Sequence, residues 1–392
     1  MREVFADLHV HIGRTEQGIP VKITGARSLT FQNIAKEASE RKGMDLVGII
    51  DCASPAVQED IRSCLKRGEM EEVPGGGLRY RQTVLLLGSE IEVQDPGTGP
   101  AHLLAYLPGL SEMERLTAWL KPRMTNVTLS TQKLKAPARA LQAEVLALGG
   151  ILIPAHVFTP HKGLYGSCTD HLATLLDPDG VAAIELGLSA DTSMGERIAE
   201  LDRYPFLSNS DAHSLPKIGR EYNRLRVEEM SFREVVMALQ GREGRAVTGN
   251  YGLNPRLGKY HRTYCEACSS IVDESEQAVE RCLYCGSTRI VRGVFDRIEA
   301  RADRAEGQAL TERPPYIHQA PLEFIPGLGP KLLAKLLDRF GTEMNILHRT
   351  SAAELTEAAG DKVASAILAS REGRLVVSSG GGGRYGKLMK QE

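Results

Sequence analysis

Short apolar runs recur through the first 252 residues, at 47–51, 83–90, 151–156, 181–185 and 205–211. Apolar runs of about four to eight residues without alternation predict strands buried on both faces, as in a parallel sheet. Segments of helical period lie between them. One, at 29–41, opens beside Ser28 and Thr30 and stops at Gly43; another, at 136–148, stops at Gly149 and Gly150. Hydroxyl residues before such a segment and glycines after it mark helix ends. This alternation predicts an α/β barrel or an open covered sheet. Each run also ends in His, Asp or Glu: Asp51, Glu90, His156, Glu185 and Asp211. In an α/β barrel those strand ends converge on one face.

The pattern changes after residue 252. Asn254 and Pro255 break it, and two cysteine pairs follow. Residues 297–313 are rich in charge and alanine, which predicts an exposed helix or linker, closed by Pro314 and Pro315. A helical stretch runs from Tyr316 to Arg371, and a glycine-rich tail follows it. The predicted organisation is therefore 1–252, 253–300, a charged linker at 301–315, 316–375 and a basic tail at 376–392.

Composition narrows the function classes. The 392 residues allow two or three domains. Lys+Arg is 48 and Asp+Glu is 50, a formal charge of -2, so any nucleic-acid contact must come from local patches. No apolar run approaches the roughly 18 residues of a membrane span. Residues 1–7 lack the apolar core of a signal peptide, which predicts a cytoplasmic protein. Seven cysteines suit a metal site plus ordinary thiols better than a disulfide framework. One Trp and 5% aromatics argue against a sugar-binding platform.

The candidate chemistry is metal chemistry. His9 and His11 are alternate residues, so on a strand they share one face and can hold one ion together. Glu90 ends a run, His102 begins one and His156 ends another; Asp211 and His213 repeat the two-residue spacing. A set of core histidines is the bland alternative, and five histidines at strand ends beside acids speak against it. Mixed imidazole and carboxylate suits Zn, Mn or Fe more than Ca. A carboxylate such as Glu90 can bridge two ions about 3.5–4 Å apart, which predicts phosphate-ester hydrolysis.

Cys265 and Cys268, with Cys282 and Cys285, have the spacing of a closed four-thiolate structural zinc site. Arg262, Arg281, Arg289 and Arg292 flank it and could hold nucleic acid. Ile325-Pro326-Gly327-Leu328-Gly329-Pro330-Lys331 precedes a helix and resembles the helix-hairpin-helix motif. There Gly327 and Gly329 free backbone N–H groups to meet a DNA phosphate, and Lys331 and Lys335 add charge. Residues 359–364 resemble a degenerate second copy. In the tail Arg371, Arg374, Arg384, Lys387 and Lys390 make a local basic patch.

The barrel series resembles the PHP (polymerase and histidinol phosphatase) superfamily. His9 and His11 match its opening motif, Glu90 its bridging glutamate, and His102, His156, Asp211 and His213 its later motifs. The resemblance implies a distorted (β/α)7 barrel with two or three divalent ions (Zn, Mn, Fe or Mg), and Asp51 as a further ligand. The chain departs from the pattern twice. The usual third histidine is absent, with Arg14 and Lys22 in that region, and an Asp-His pair reads Asp51-Cys52. Glu185 is a secondary ligand candidate; His161, Cys168 and His171 read as loop residues.

Barrel, four-cysteine zinc domain and helical helix-hairpin-helix domain together resemble the endonuclease Q family. The strings Ser210-Asp211-Ala212-His213-Ser214, Gly219-Arg220-Glu221 and Asn126-Val127-Thr128-Leu129-Ser130-Thr131-Gln132 resemble it too. That resemblance implies a DNA repair endonuclease cutting 5′ to hypoxanthine, uracil, xanthine or an abasic site. It implies a flipped nucleotide, with Asp211, His213 and Glu90 as catalytic residues. Lys22, Lys133 and Arg220 are candidates to stabilise the phosphorane. The implied partners are damaged double- or single-stranded DNA, with other repair or replication proteins as candidates. No membrane and no organic cofactor is implied, and the location would be cytoplasmic, at the nucleoid. Two other classes are a small-molecule phosphatase of the histidinol-phosphate kind and a non-catalytic DNA-binding protein with a decayed barrel.

Overall fold

The computed structural model describes residues 1–272, 280–378, 380, 384 and 386–388. Gly381, Gly382, Gly383 and Lys390 of the predicted tail lie outside the described residues.

Seven strands close a barrel. β1 (Arg2–His11) pairs parallel with β2 (Leu46–Ile50), and β2 pairs parallel with β3 (Thr83–Val93). β4 (Ala101–Leu107) runs antiparallel to β3 and to β5 (Ile151–Pro154). A parallel bridge from Leu152 to Val181 leads to β6 (Ile184–Glu185), which pairs parallel with β7 (Phe206–Leu207). A second bridge, Val10 to Ala212, returns to β1. The barrel is distorted because β4 is reversed and because β1 is shared. The first residues of β1 pair antiparallel with β8 (Tyr222–Val227), which continues the sheet to β9 (Ala246–Gly252).

The interior is built from Val4, Ala6 and Leu8 of β1 with Val84, Leu86, Leu104, Ile153 and Leu225. Val10 and Ile12 instead join the outer core with Phe31, Ile34 and Val57. Plain alternation would keep Leu8 and Val10 on one face. The register between β1 and β2 shifts between Asp7 and Val10, and such an irregularity exchanges the two faces of a strand. His9 and His11 thereby take the inward positions at the barrel mouth, where both are buried. Each buried Leu or Ile contributes about 1.5–3 kcal/mol, so slipping this register back would be costly.

Helices α1 (Phe31–Lys36), α2 (Pro55–Lys66), α3 (Leu110–Leu120) and α4 (Ala138–Ala147) cover the outside. The predicted 29–41 helix starts at its cap: Thr30 Oγ1 accepts from Asn33 N. After Lys36 it widens into a π turn that ends at Gly43, whose φ of 76° suits glycine. Among the described residues no helix is long and apolar enough to cross a membrane.

Beyond the barrel, the two-residue strands Tyr264–Cys265 and Ile290–Val291 form a ribbon, followed by α5 (Val294–Glu299). The stretch at 301–315, predicted as an exposed linker, is strapped to the barrel. Arg304 pairs with Asp202 at 2.6 Å, and Arg313 donates to the carbonyls of Leu201 and Tyr204 while stacking on Phe206. The stretch otherwise stays exposed, as expected, so these arginines tether a largely solvated segment. The chain then adds β10 (Tyr316–His318) parallel to β9. Four helices follow: α6 (Pro330–Phe340), α7 (Glu343–His348), α8 (Ala352–Ala359) and α9 (Asp361–Arg371). They lean on the sheet through His348, stacked 4.4 Å from Phe5, and through Lys42 paired with Glu343 at 3.0 Å.

Candidate metal centre

Seven side chains, from His9 and His11 on β1 to Asp211 and His213 after β7, meet at the barrel mouth. His9 Nε2 and His11 Nε2 are 3.3 Å apart. Asp211 Oδ1 lies 3.5 Å from His9 Nε2 and 3.3 Å from His11 Nε2. Glu90 approaches the same pair, Oε1 at 3.7 Å from His9 and Oε2 at 3.6 Å from His11. Donors about 2.0–2.1 Å from one ion stand about 3.3–3.4 Å apart in tetrahedral geometry, so the His9, His11 and Asp211 spacings match one face of such a site, with Glu90 close to both histidines. A second group shares Glu90: its Oε1 is 2.8 Å from His102 Nδ1 and 3.3 Å from His156 Nε2, with the two rings 3.4 Å apart at those nitrogens. His102 reaches the mouth from the start of β4 because that strand is reversed. Asp211 Oδ1 is buried and accepts no hydrogen bond, an orphan that a cation would satisfy. The donor set therefore fits divalent cations, with Glu90 common to two of its groups.

Nδ1 of each leading histidine is held from behind. Glu185 meets His9 Nδ1 at 3.0 Å, and its carboxylate also accepts from Asn209 Nδ2 and from the backbone of His156. Asp51 meets His11 Nδ1 at 3.0 Å and accepts from the Ile12 N–H. Such carboxylates fix the ring so that Nε2 faces the centre. Asp51, expected as a ligand, commits Oδ2 behind His11 and joins none of the barrel donor groups, while its Oδ1 is buried without a hydrogen-bond partner. Cys52 is turned away, its thiol on the Ile49 carbonyl, and burial pushes that thiol's pKa far up.

The electrostatics are those of a cation site. Burial opposes charge on His9, yet Glu185, Asp211 and Glu90 push it up to about 10. Burial likewise works against the Glu90 carboxylate, and His102 and Lys22 hold it well below the usual range. Backbone strain concentrates in the same place. Asp51, Thr131, His156 and Asp211 have φ of 104°, 54°, 31° and 46°, which ordinary residues avoid. Strain of this kind persists where surrounding structure over-determines a functional geometry.

The centre floors a cavity of about 360 Å³. Lys22 and Arg220 line it, whereas Lys133 is committed to Gln94. Its other wall is built from Leu253, Leu257, Lys259 and Tyr260, where barrel meets ribbon. His161, read as a loop residue, also lines it, its ring edge-on to Tyr260 at 5.3 Å. His171 is exposed, and Cys168 is buried away from the cavity.

In the ribbon, the four thiols of Cys265, Cys268, Cys282 and Cys285 lie within 4.8 Å of one another. Sγ of Cys265 and Cys285, and of Cys268 and Cys282, are 3.6 Å apart. Four thiolates about 2.3 Å from zinc would stand about 3.8 Å apart. In the helical segment Gly327 turns at φ 86° before Pro330 opens α6. Lys331 is exposed, and Lys335 donates to the Ala358 carbonyl. A Cβ on Gly327 would stand 3.3 Å from Val363, so the two hairpin turns pack together.

A model of the PHP-associated family matches residues 193–244. The uncharacterized Bacillus subtilis protein YqxK is 47% identical over 390 residues, 99% of this chain and 100% of that protein. The crystal structure of the lesion-specific endonuclease Q of Pyrococcus furiosus superposes with a TM-score of 0.86 at 31% identity, covering 100% of this chain and 96% of that one. The chain belongs to the endonuclease Q family. A second endonuclease Q structure, with a 27-mer duplex carrying an abasic lesion at its active site, matches at a TM-score of 0.84 and 31% identity over 100% of this chain and 97% of that one.

For this endonuclease Q family member, strand-end position in the sequence located the seven converging side chains but did not rank them. The orienting role of Asp51 and Glu185 needs to be known atom by atom. Thr131 carried no signal beyond its place in the 126–132 string, and the 253–260 wall carried none.

Proposed function

We propose that the protein is a DNA repair endonuclease that hydrolyses the phosphodiester 5′ to an abasic site or a deaminated base (hypoxanthine, uracil or xanthine). One observation carries the reading: a cation-type donor set floors a cavity whose far wall belongs to the ribbon, in a chain that matches a duplex-bound endonuclease Q along its whole length. His9, His11, Glu90 and Asp211 would hold one ion (Zn, Mn or Mg), and Glu90, His102 and His156 a second, supplying an activated water and positive charge for the phosphate. Cys265, Cys268, Cys282 and Cys285 would hold a structural zinc.

The chain's own residues do the rest. Asp51 and Glu185 keep the Nε2 atoms of His11 and His9 aimed at the centre. His213 lies at the rim, its Nδ1 on the Asp211 carbonyl. Burial and neighbouring His11 lower its pKa, so uncharged Nε2 can accept the proton of the attacking water. Arg220, anchored on the Ser210 carbonyl, adds charge at the cavity. The damaged nucleotide swings from the stack at a cost of a few kcal/mol, least where pairing is already lost. Gly327, Gly329 and Lys331, with Lys335 beside the second turn, grip phosphates without reading sequence. The units 1–252, 253–300 and 316–375 thus divide into cutting, clamping and holding, and an enzyme acting on chromosomal DNA would work in the cytoplasm.

Labelled duplexes with one inosine, uracil or abasic site, incubated with Mn, Mg or Zn, test this. The expected products are a 3′-hydroxyl and a 5′-phosphate at one position, absent with Asp211→Ala. Hydrolysis of p-nitrophenyl phosphate without nicking would instead indicate a small-molecule phosphatase.

A further inference from the structure

Lys22 sits in the barrel centre by construction. Its N–H bonds the Ile12 carbonyl at 3.0 Å, one residue past His11, and Val21 N–H bonds Gly13 O at 3.0 Å. The loop closes this tightly because Gly13 lacks a side chain: a Cβ there would lie 2.1 Å from the Ala26 carbonyl oxygen. The ammonium then reaches Thr131 Oγ1 at 2.6 Å, Glu90 Oε2 at 3.2 Å and His11 Nε2 at 3.4 Å. Thr131 holds that position with a φ of 54°, uncommon for a β-branched residue. Its hydroxyl also donates to Glu90 Oε2 at 2.6 Å. Two oxygens of one carboxylate thus face opposite ways, Oε1 to His102 and His156, Oε2 to Lys22.

The remaining grouping of donors is His11, Asp211 and His213. Two of these already belong to the first ion position, which leaves His213 alone for a third. Cys52 and Arg14 bond the Ile49 and Gly18 carbonyls, and Asp51, whose Oδ1 is buried without a partner, joins none of the barrel donor groups. A third divalent ion would have one donor of its own and would meet a fixed ammonium at His11. The ammonium already contacts two of the donors of this cluster, Glu90 Oε2 at 3.2 Å and His11 Nε2 at 3.4 Å, so its charge sits where a further cation would have to go.

We infer that the Lys22 ammonium is the third cation of this centre: the barrel holds two divalent ions, and Lys22 supplies a permanent charge that steadies the scissile phosphate. This rests on the proposed phosphodiester reaction. Two of its three protons serve Thr131 and Glu90; the third faces His11 Nε2 here and, once that nitrogen's lone pair is given to an ion, is left for a phosphate oxygen in the cavity that Lys22 lines. Lysine suits the place because its charge is a compact point on a flexible stem.

The test counts metal by mass spectrometry on the zinc-loaded full chain and on Lys22→Met and Lys22→Ala. Wild type and both variants should carry three ions per chain, two in the barrel and one in the ribbon. At saturating abasic duplex, Lys22→Met should turn over about 100-fold more slowly with KM little changed. Propylammonium should recover Lys22→Ala about tenfold or more and leave wild type unchanged, a rescue that a purely structural lysine would not show. Four ions in wild type, or a Lys22→Met turnover within about threefold of wild type, overturns the inference. Metal counting separates this from the function: four ions overturn it whatever the protein cuts. Three ions without incision of any lesion would overturn the reaction while leaving two ions and Lys22 in place.

Discussion

The two candidate cation sites of this chain are built in opposite ways. At the barrel mouth, side chains spread from His9 to His213 converge only because seven strands close around a packed interior. At the ribbon, two short knuckles 14 residues apart at their nearest cysteines gather four thiols around a small core, which among the described residues is Cys265, Val272 and Cys282 with Ile290 beside them. In the barrel the fold makes the site. In the ribbon the site makes the fold, because so few apolar groups cannot offset chain entropy. The barrel site therefore keeps an open side toward a cavity, and the thiol site is closed.

The sharpest way to break this contrast is to remove a donor from each. Asp211→Ala should lower incision on the order of 10³-fold or more, with circular dichroism and thermal midpoint close to wild type. Unfolding of the barrel in that variant would mean that its ligands carry stability after all. Cys282→Ser should behave in reverse. One zinc per chain is lost, trypsin cuts at Arg281, Arg289 or Arg292, and the main thermal transition of the barrel stays. Intact resistance to trypsin after loss of that zinc would show that the ribbon stands without it.

How much of this was legible in the sequence follows the same division. The thiol site is local, so spacing alone located it. The barrel ligands were legible as residue types at strand ends, because apolar runs announce strands and their ends announce a mouth. The faces of β1 were not, since alternation puts Leu8 and Val10 together and only the shift after Asp7 parts them. The reversal of β4 was written in one anomaly: His102 begins its run where the others end theirs. Asp51 and Glu185 end runs as Asp211 does, and only the atom each one meets tells an orienting carboxylate from a converging one. Lys22, Thr131 and the 253–260 wall depend on loops folding back, which leaves no periodic trace. The exposure of 301–315 followed from its charge, whereas its tether, Arg313 on two carbonyls and the face of Phe206, left no trace in the pattern.

A smaller effect sharpens the barrel side. Glu185→Gln keeps the shape behind His9 but loses the charge that orients its ring. Metal affinity, read by competition with a chelator, should fall about 10–100-fold, with stability nearly unchanged. The matching change behind His11, Asp51→Asn, should act in the same direction. Unchanged affinity in both would mean that ring orientation comes from packing alone.

The smallest effect concerns what holds the helical segment to the barrel, a contact that uses no cation. His348 stacks on Phe5, and its Nε2 lies 2.6 Å from the Tyr222 hydroxyl, which also bonds Gln319. Burial pushes its pKa down to about 3, and Arg371, Arg224 and Arg349 add to this. A histidine depressed in the folded state takes its proton first in the unfolded chain. Stability is therefore full above the ordinary value of about 6.5 and is lost as pH falls from there toward 3. Between pH 6.5 and 5 the loss should be about 2 kcal/mol. Chelated protein isolates this limb, since acid also strips metal from histidines. His348→Phe should keep the stack on Phe5 and flatten the fall of the thermal midpoint across that window. If wild type and His348→Phe lose stability in parallel, the acid sensitivity resides outside His348, and its part in docking the helices is the stack on Phe5 alone.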